Sequence, residues 1–326
     1  MAAEYAVGVD LGGTNLKVAL VEREVGIVRQ VRLPTDANRG PEHVLDQIAD
    51  GIGRVVAAAD GPVRGVGVGA PGIVSLDRTT VTTPPNFVNW DVVHVPDAVG
   101  GRLDGLGLGG LVIVENDANV AALGSAFYGA GRPFDSFVML TLGTGVGGAI
   151  IVDNRLFRGA TGAAGEIGHM SIDYEGPYDR AGVPGAIEAY LGQRYLSRHA
   201  QYRLRTRETS LHATSGEDLE DLTPERVHAA AAAGDQAALD VLAWAGHKLG
   251  VLLGSVVSLL DIRKVVVGGG VSRAGDLLLD SARDTLRRSV MPSMAEGIEI
   301  VQEPRGNDVA LLGGARLVFE RIDDGA

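Results

Sequence analysis

The chain carries the same Gly/Thr-rich ribbon twice. Residues 8 to 21 read GVDLGGTNLKVALV, and residues 139 to 152 read MLTLGTGVGGAIIV. Each is an apolar run, a glycine-rich turn and a second apolar run, the pattern of a β-hairpin whose tip is no ordinary tight turn. Gly12 and Gly13 in the first copy, and Gly143, Gly145, Gly147 and Gly148 in the second, remove Cβ atoms where backbone approaches something closely. Thr14 and Thr144 add hydroxyls beside rows of backbone N–H groups, and concave rows of N–H groups attract anions. Two such ribbons predict a duplicated α/β core gripping a polyphosphate between its halves. Hairpins serving only as turns are the alternative, which their likeness disfavours.

At 326 residues the chain is large for one hydrophobic core, so two lobes are expected. Aromatic residues are only 5% of the chain, which leaves Val, Leu, Ile and Ala to fill an α/β interior with buried strands. The net charge of −12 argues against a nucleic-acid groove, but loop N–H groups and a metal ion can still receive a small phosphorylated ligand. With no cysteine, neither disulfides nor thiolate zinc sites are possible. The N-terminal residues, MAAEYAVGVD, lack the basic stretch of a secretory signal. The most apolar helix candidate, Ala237 to Leu260, has an uncharged run too short for a bilayer. A soluble, cytoplasmic protein without membrane or nucleic-acid partners is expected.

Along the chain, Tyr5 to Val9, Leu16 to Val21 and Ile27 to Leu33 read as a three-strand meander. Pro41 opens a helix with Val44, Leu45, Ile48, Ile52, Val55 and Val56 on one face. Arg64 to Val68 is a strand, Ser75 to Gly110 holds short strands at most, and Leu111 to Val114 is a strand feeding the helix Ala118 to Tyr128. After the second ribbon come loops to Pro184, a helix near Ala186, and a polar stretch, Arg198 to Thr223, read as an exposed excursion. Helices within Ala229 to Leu260, a strand Val265 to Val267, a helix Ala274 to Ser289, a strand Ile298 to Val301 and a helix Val309 to Ile322 follow. A meander–helix unit that occurs twice is a duplicated α/β fold.

Several side chains are candidates for chemistry. Asp10 ends the first strand before GGT, where a carboxylate can hold Mg²⁺ through water or simply accept bonds from the turn. Asn116 and Asp117 sit at a strand-to-helix junction; Asp117 is either a helix cap or a general base at a sheet's C-terminal edge. Glu166 and His169 lie in GEIGH, spaced to converge on a polar ligand as hydroxyl acceptor and donor, with metal binding and an incidental surface loop as rivals. Glu188, near a helix start, is by itself dipole compensation. VVVGGGVS (265 to 272) is a strand–turn–helix of a kind that binds nucleotides. No P-loop is present, and the first ribbon's DLGGTN is not a G-x-G-x-x-G fingerprint.

Taken in order, VGVDLGGTNLKVALVE, ENDANVAALGSAFYGAG, LTLGTGVGGAIIV, GAAGEIGHMSID, VVVGGGVS and LLGGARLVF resemble the ROK (repressor, open reading frame, kinase) family of sugar kinases, nearest its bacterial glucokinase branch. The resemblance implies a duplicated actin-like ATPase (ribonuclease H-like) fold, with an interlobe cleft between a small lobe, 1–115 plus about 306–326, and a large lobe, 116–305. It implies that Asp10, Gly12, Gly13, Thr14, Asn15, Lys17, Thr144, Gly145 and Gly147 hold the phosphates of ATP with Mg²⁺, and that Gly269 and Gly270 face adenosine. Asp117 is then the general base. Gly72, Asn86, Asn116, Glu166, His169 and Glu188 bind the hexose with it. A homodimer is also implied.

One departure stands out. In the family, the GH histidine is usually followed by a C-x-C-G-x-x-G-C loop that binds structural zinc. Those cysteine positions fall here on Asp179, Ala181 and Ala186, and His169 alone cannot form a tetrahedral site. No zinc is therefore expected, and YDRAGVPG (178 to 185) is expected to hold its shape through Pro184 and polar contacts.

The implied reaction is ATP-dependent phosphorylation of a hexose, glucose at O6 first, with fructose, mannose and amino sugars as alternatives. The family also contains sugar-responsive repressors with a helix-turn-helix ahead of the kinase-like core. The first ribbon starts within ten residues of Met1, leaving no room for that module, and a non-catalytic sensor tends to lose the base that Asp117 supplies.

Overall fold

In the computed structural model, residues 3–325 are described except 86, 105–107, 109 and 217. Their contacts divide the chain into two compact units, residues 1–135, 150–164 and 307–326 in one and residues 136–149 and 165–306 in the other.

The first unit opens with the meander β1 (Tyr5–Leu11), β2 (Asn15–Glu22) and β3 (Gly26–Pro34), followed by α1 (Pro41–Val56) and β4 (Val63–Ala70). A small sheet, β5 (Ile73–Val74), β6 (Thr80–Thr82) and β7 (Val92–His94), leads to α2 (Val95–Gly100), β8 (Val112–Asn116) and α3 (Asp117–Tyr128). The main sheet has the order β3-β2-β1-β4-β8, antiparallel through the meander and parallel from β1 to β8. Both faces are covered, which is why β1 and β2 are apolar almost throughout. Val7, Val9 and Leu11 pack with Val44, Leu45, Ile48 and Ile52 of α1. Ala6, Ala19 and Val21 pack instead with Leu311, Leu312, Ala315 and Phe319 of the closing helix.

The second ribbon is β9 (Phe137–Leu142) and β10 (Val146–Val152), extended by β11 (Arg155–Leu156). Then come α4 (Glu188–Leu191), α5 (Gln193–Leu204), α6 (Leu211–Thr214), α7 (Pro224–Ala232), α8 (Gln236–Leu260), β12 (Lys264–Gly268), α9 (Asp276–Arg288), β13 (Glu299–Gln302) and α10 (Asp308–Asp323). Their sheet has the order β11-β10-β9-β12-β13, again parallel from β9 through β12 to β13. Third, second, first, fourth, fifth: the two sheets repeat one strand order, so the ribbon duplication is a duplication of the fold.

Glycines in both units act as contact surfaces. A Cβ on Gly8 would overlap the Leu311 carbonyl, on Gly67 the Gly314 carbonyl and on Gly124 the Val309 carbonyl. Helix α10 therefore lies backbone to backbone on β1, β4 and α3. This contact holds α3, which the sequence reading put in the large lobe, within the first unit. In the second unit Gly246, Gly250 and Gly254, one helical turn apart, admit α9 against α8. Among the described residues α8 alone is long and apolar enough to cross a membrane, and 61% of its most apolar window is buried by such packing.

Two expectations need correction. Arg198 to Leu204 continue helix α5 rather than forming an exposed excursion, because Leu196, Ala200 and Leu204 recur every four residues and are buried. The Pro/Gly-rich stretch contains a short helix, α2, with Pro96 in its first turn and the His94 ring accepting the Asp97 N–H.

Candidate active site

In the first unit, the β1–β2 tip exposes Gly13 and Thr14. Gly12 N–H donates to the Asn15 carbonyl at 3.1 Å, and Thr35 clamps the tip, its hydroxyl donating to the Gly12 carbonyl at 2.6 Å and its N–H to the Thr14 carbonyl at 3.1 Å. A Cβ on Gly12 would sit 2.8 Å from the Asn15 carbonyl, so glycine is required by the turn itself. Asp10 and Lys17 are register partners below the tip and form an ion pair at 2.8 Å. Asn15 Oδ1 accepts from Arg32 Nε at 3.0 Å. The ribbon end thus combines exposed backbone with one ammonium and one carboxylate. Among the described residues no cluster of three or more His, Asp or Glu side chains forms a metal cage. A lone carboxylate suits Mg²⁺ that keeps most of its ligands as phosphate oxygens and water.

At the end of β8 the structure separates two residues that the sequence left ambiguous. Asn116, not Asp117, caps α3, its Oδ1 accepting from Ala118 N–H at 2.9 Å and Asn119 N–H at 3.3 Å. Its Nδ2 donates to the Gly72 carbonyl at 3.2 Å. Gly72 has φ +97° and faces the Thr82 carbonyl and Pro84 where a Cβ would be, so its glycine is set by the backbone. Asp117 occupies the first helical position with an exposed carboxylate, Oδ1 accepting the Ala118 N–H at 2.8 Å. Asn86 lies outside the described residues.

Behind them is a group the sequence did not reveal. Glu115 is fully buried, and its Oε2 lies 3.0 Å from Arg78 Nε and 2.7 Å from Arg158 Nε. Its Oε1 accepts from Asn116 N–H at 2.9 Å and Asn119 Nδ2 at 3.0 Å. Arg158 also donates to the carbonyls of Leu76 at 2.6 Å and Ser75 at 2.9 Å. One carboxylate therefore ties the α3 N-terminus to two loops. The only sequence signal was an acid preceding Asn116–Asp117; its cationic partners are remote in the chain.

In the second unit, Thr144 is exposed at the β9–β10 tip, with Gly143 N–H donating to the Gly145 carbonyl at 2.9 Å. Glu188, in the first turn of α4, accepts the Val146 N–H at 3.0 Å, and its Oε2 fills the place a Cβ on Gly145 would take. Gln193 N–H donates to the Gly143 carbonyl at 2.9 Å. So the start of α4–α5 is stitched to the ribbon tip. Gly147 follows within β10. A cavity of about 380 Å³ opens beside Thr144, lined by Arg194 and Arg198 of α5 among others. Gly269 has φ +89° and lies against the Leu142 backbone, while Gly270 begins the turn into α9.

Glu166 and His169 flank a single 3-10 turn over Ile167–His169, with Glu166 Oε2 3.8 Å from His169 Nε2. The other ring nitrogen, Nδ1, lies 2.6 Å from Asp179 Oδ2. Burial works against a charge on His169, but the hydrogen bond and charge of Asp179, with Glu188 and Glu166 behind, raise its pKa. Burial likewise opposes the Asp179 charge, and the bonds from His169 and Val183 more than reverse it, lowering its pKa. The residues do not fit structural zinc: Asp179 is committed to His169 and Val183, and the other two positions are Ala181 and Ala186. The loop is closed by a Tyr178–Pro184 bridge, a Ser171–Ala186 bridge and Gly185 N–H donating to the Pro177 carbonyl at 2.8 Å.

Comparison with known proteins matches the profile of the ROK family over residues 6–321. The chain belongs to the ROK family. It is 33% identical over 316 residues to a glucokinase of Thermotoga maritima, covering 97% of this chain and 98% of that one. It is similar to the crystal structure of a ROK family glucokinase from Streptomyces griseus in complex with glucose and AMPPNP, with a TM-score of 0.84 and 33% identity over 97% of this chain and 99% of that one. A xylose repressor of Bacillus subtilis is 26% identical, across 99% of this chain and 79% of the repressor. The repeated sheets are those of the actin-like ATPase fold that the motifs implied.

Proposed function

We propose that this ROK protein is an ATP-dependent hexokinase that phosphorylates O6 of a hexose, glucose first. The observation that carries the reading is the division of labour at β8–α3. Asn116 is the cap residue, and Asp117, at the first helical position, presents an exposed carboxylate at the C-terminal edge of a parallel sheet, where α/β proteins bind ligands. Kinship with glucokinases at 33% identity supports the substrate class.

In this reaction Asp117 accepts the proton of the sugar hydroxyl as its oxygen attacks the γ-phosphorus, and ADP leaves. Gly12, Gly13, Thr14 and Asn15, with Thr144, Gly145 and Gly147, present backbone N–H groups and hydroxyls to the phosphates, while Lys17 adds a positive charge. Gly269 and Gly270 lie toward adenosine. Asp10 would hold, through water, an Mg²⁺ ion bound with the nucleotide, which would offset charge on the phosphoryl oxygens. Positioning and electrostatics supply most of the rate, since phosphoryl transfer leaves the protein little covalent chemistry. Asn116, Glu166, His169 and Glu188 bind hexose hydroxyls, with Gly72 and Asn86 as further contacts. A cytoplasmic homodimer of two α/β lobes per chain belongs to the same reading, carried by the family resemblance.

A sugar-responsive regulator is the weaker alternative: the repressor relative is less similar, and Asp117 is retained. The test is hexose-dependent ADP release from Mg·ATP over a dozen sugars, including glucose, mannose, fructose and glucosamine. Glucose is expected to turn over fastest. No hexose-dependent ADP release from any sugar refutes the proposal.

A further inference from the structure

We propose that Asp179 is a positioning residue for hexose binding: it fixes the His169 ring so that Nε2 alone faces the sugar, and thereby makes sugar affinity depend on pH. The inference rests on the hexokinase reading above. Its basis is geometric. The Asp179 side chain is fully buried, and both its oxygens are used, Oδ2 on His169 Nδ1 at 2.6 Å and Oδ1 on the Val183 N–H at 2.8 Å. The Asp179 backbone N–H also donates to the Val183 carbonyl at 3.1 Å. A carboxylate anchored twice to one tight loop cannot turn with the ring; the ring must conform to it.

An ionised carboxylate only accepts hydrogen bonds, so Nδ1 carries a proton in every charge state of His169. Nε2 is then the nitrogen that changes, a donor in the imidazolium and an acceptor in the neutral ring. The charged groups facing the ring are Asp179 on the loop, Glu166 at the start of its own turn and Glu188 on α4; all three are acidic and favour the imidazolium. Glu166 beside Nε2 accepts from a sugar hydroxyl while the imidazolium donates to one. Raising the pH through the His169 pKa turns the donor into an acceptor, and the hexose loses that bond.

Asp179→Asn separates this role from simple loop support. Its amide can still accept the Val183 N–H with oxygen, which turns its N–H₂ toward Nδ1. The histidine then shifts its proton to Nε2 and stays a donor without being charged. For the wild type the hexose KM is expected to rise about tenfold between pH 6 and 9, the scale of one lost hydrogen bond. In Asp179→Asn that rise is expected to flatten to less than about twofold, with kcat within about threefold. Histidine ¹⁵N NMR is the second readout: at high pH the His169 proton is expected on Nδ1 in the wild type and on Nε2 in the variant. Parallel KM–pH profiles in the two proteins overturn the proposal, as does an Nε2-protonated His169 in the wild type. The wild-type spectrum decides even if the variant fails to fold. Absence of hexose turnover in the wild type counts against the hexokinase reading instead, because the NMR assignment does not depend on it.

Discussion

Glu115→Ala is the substitution whose cost follows most directly from the structure. It removes a fully buried carboxylate that lies 3.0 Å from Arg78 Nε and 2.7 Å from Arg158 Nε and accepts from Asn116 and Asn119. Arg158 suffers most, because its side chain is only 11% exposed and water cannot replace the lost partner. Breaking a buried ion pair from one side costs about 3–5 kcal/mol, largely through the charge left behind. At a urea slope of about 3 kcal/mol/M the unfolding midpoint falls by about 1–1.7 M. Adding Arg158→Met should recover part of that loss, since the double variant no longer buries an unpaired guanidinium. Glu115→Gln, which keeps acceptors for Asn116 and Asn119, should fall between. Hexose turnover should drop in Glu115→Ala, because the α3 N-terminus bearing Asn116 and Asp117 loses its anchor. A midpoint within about 0.3 M of wild type would show that this network does not hold the junction.

Three further outcomes are expected. Gly145→Ala places a methyl where Glu188 now sits, so Glu188 must release the Val146 N–H; steady-state kinetics should show KM for hexose and ATP both raised, with little change in Tm. Gly313→Ala sets a Cβ against the Val120 carbonyl in the α10–α3 contact and should destabilise by about 1–3 kcal/mol in a denaturant titration. Asp235 caps α8 through Ala238 N–H at 3.0 Å and accepts from Ser210 and Thr209. Burial raises its pKa, but these hydrogen bonds reverse the effect and hold it well below the usual carboxylate range. A depressed folded pKa means stability present above the unfolded value and lost as pH falls below it. Asp235→Ala should therefore cost about 1–2 kcal/mol at pH 7 and progressively less below pH 4, read by melting temperature across pH.

What the sequence disclosed was local. The ribbons were legible because glycines and threonines interrupt two apolar runs within a dozen residues, and α1 because Pro41 precedes a clean helical stripe. Helix α5 was masked because only Leu196, Ala200 and Leu204 are buried among arginines, glutamines and tyrosines, a stripe too thin to outweigh its polar neighbours. The choice of cap between Asn116 and Asp117 was undecidable locally, since either side chain can accept the α3 N–H groups; the Gly72 carbonyl, which holds the Asn116 amide, lies elsewhere in the chain. Glu115 with Arg78 and Arg158, and Glu188 with Val146, are likewise pairings made by the fold. Gly269 read as a ligand-facing glycine, yet its close approach to Leu142 is reason enough for the residue type. The missing cysteines pointed to a loop without zinc, but not to Asp179 as the His169 partner.

The central claim is that Asp117 takes the proton from a sugar hydroxyl. Its most direct test is Asp117→Asn, which leaves the Asn116 cap and the helix intact, assayed by rapid-quench phosphoryl transfer beside calorimetric glucose binding. The account predicts glucose affinity within severalfold of wild type and a transfer rate lower by about 10²–10⁴-fold. Transfer within tenfold of wild type would contradict it.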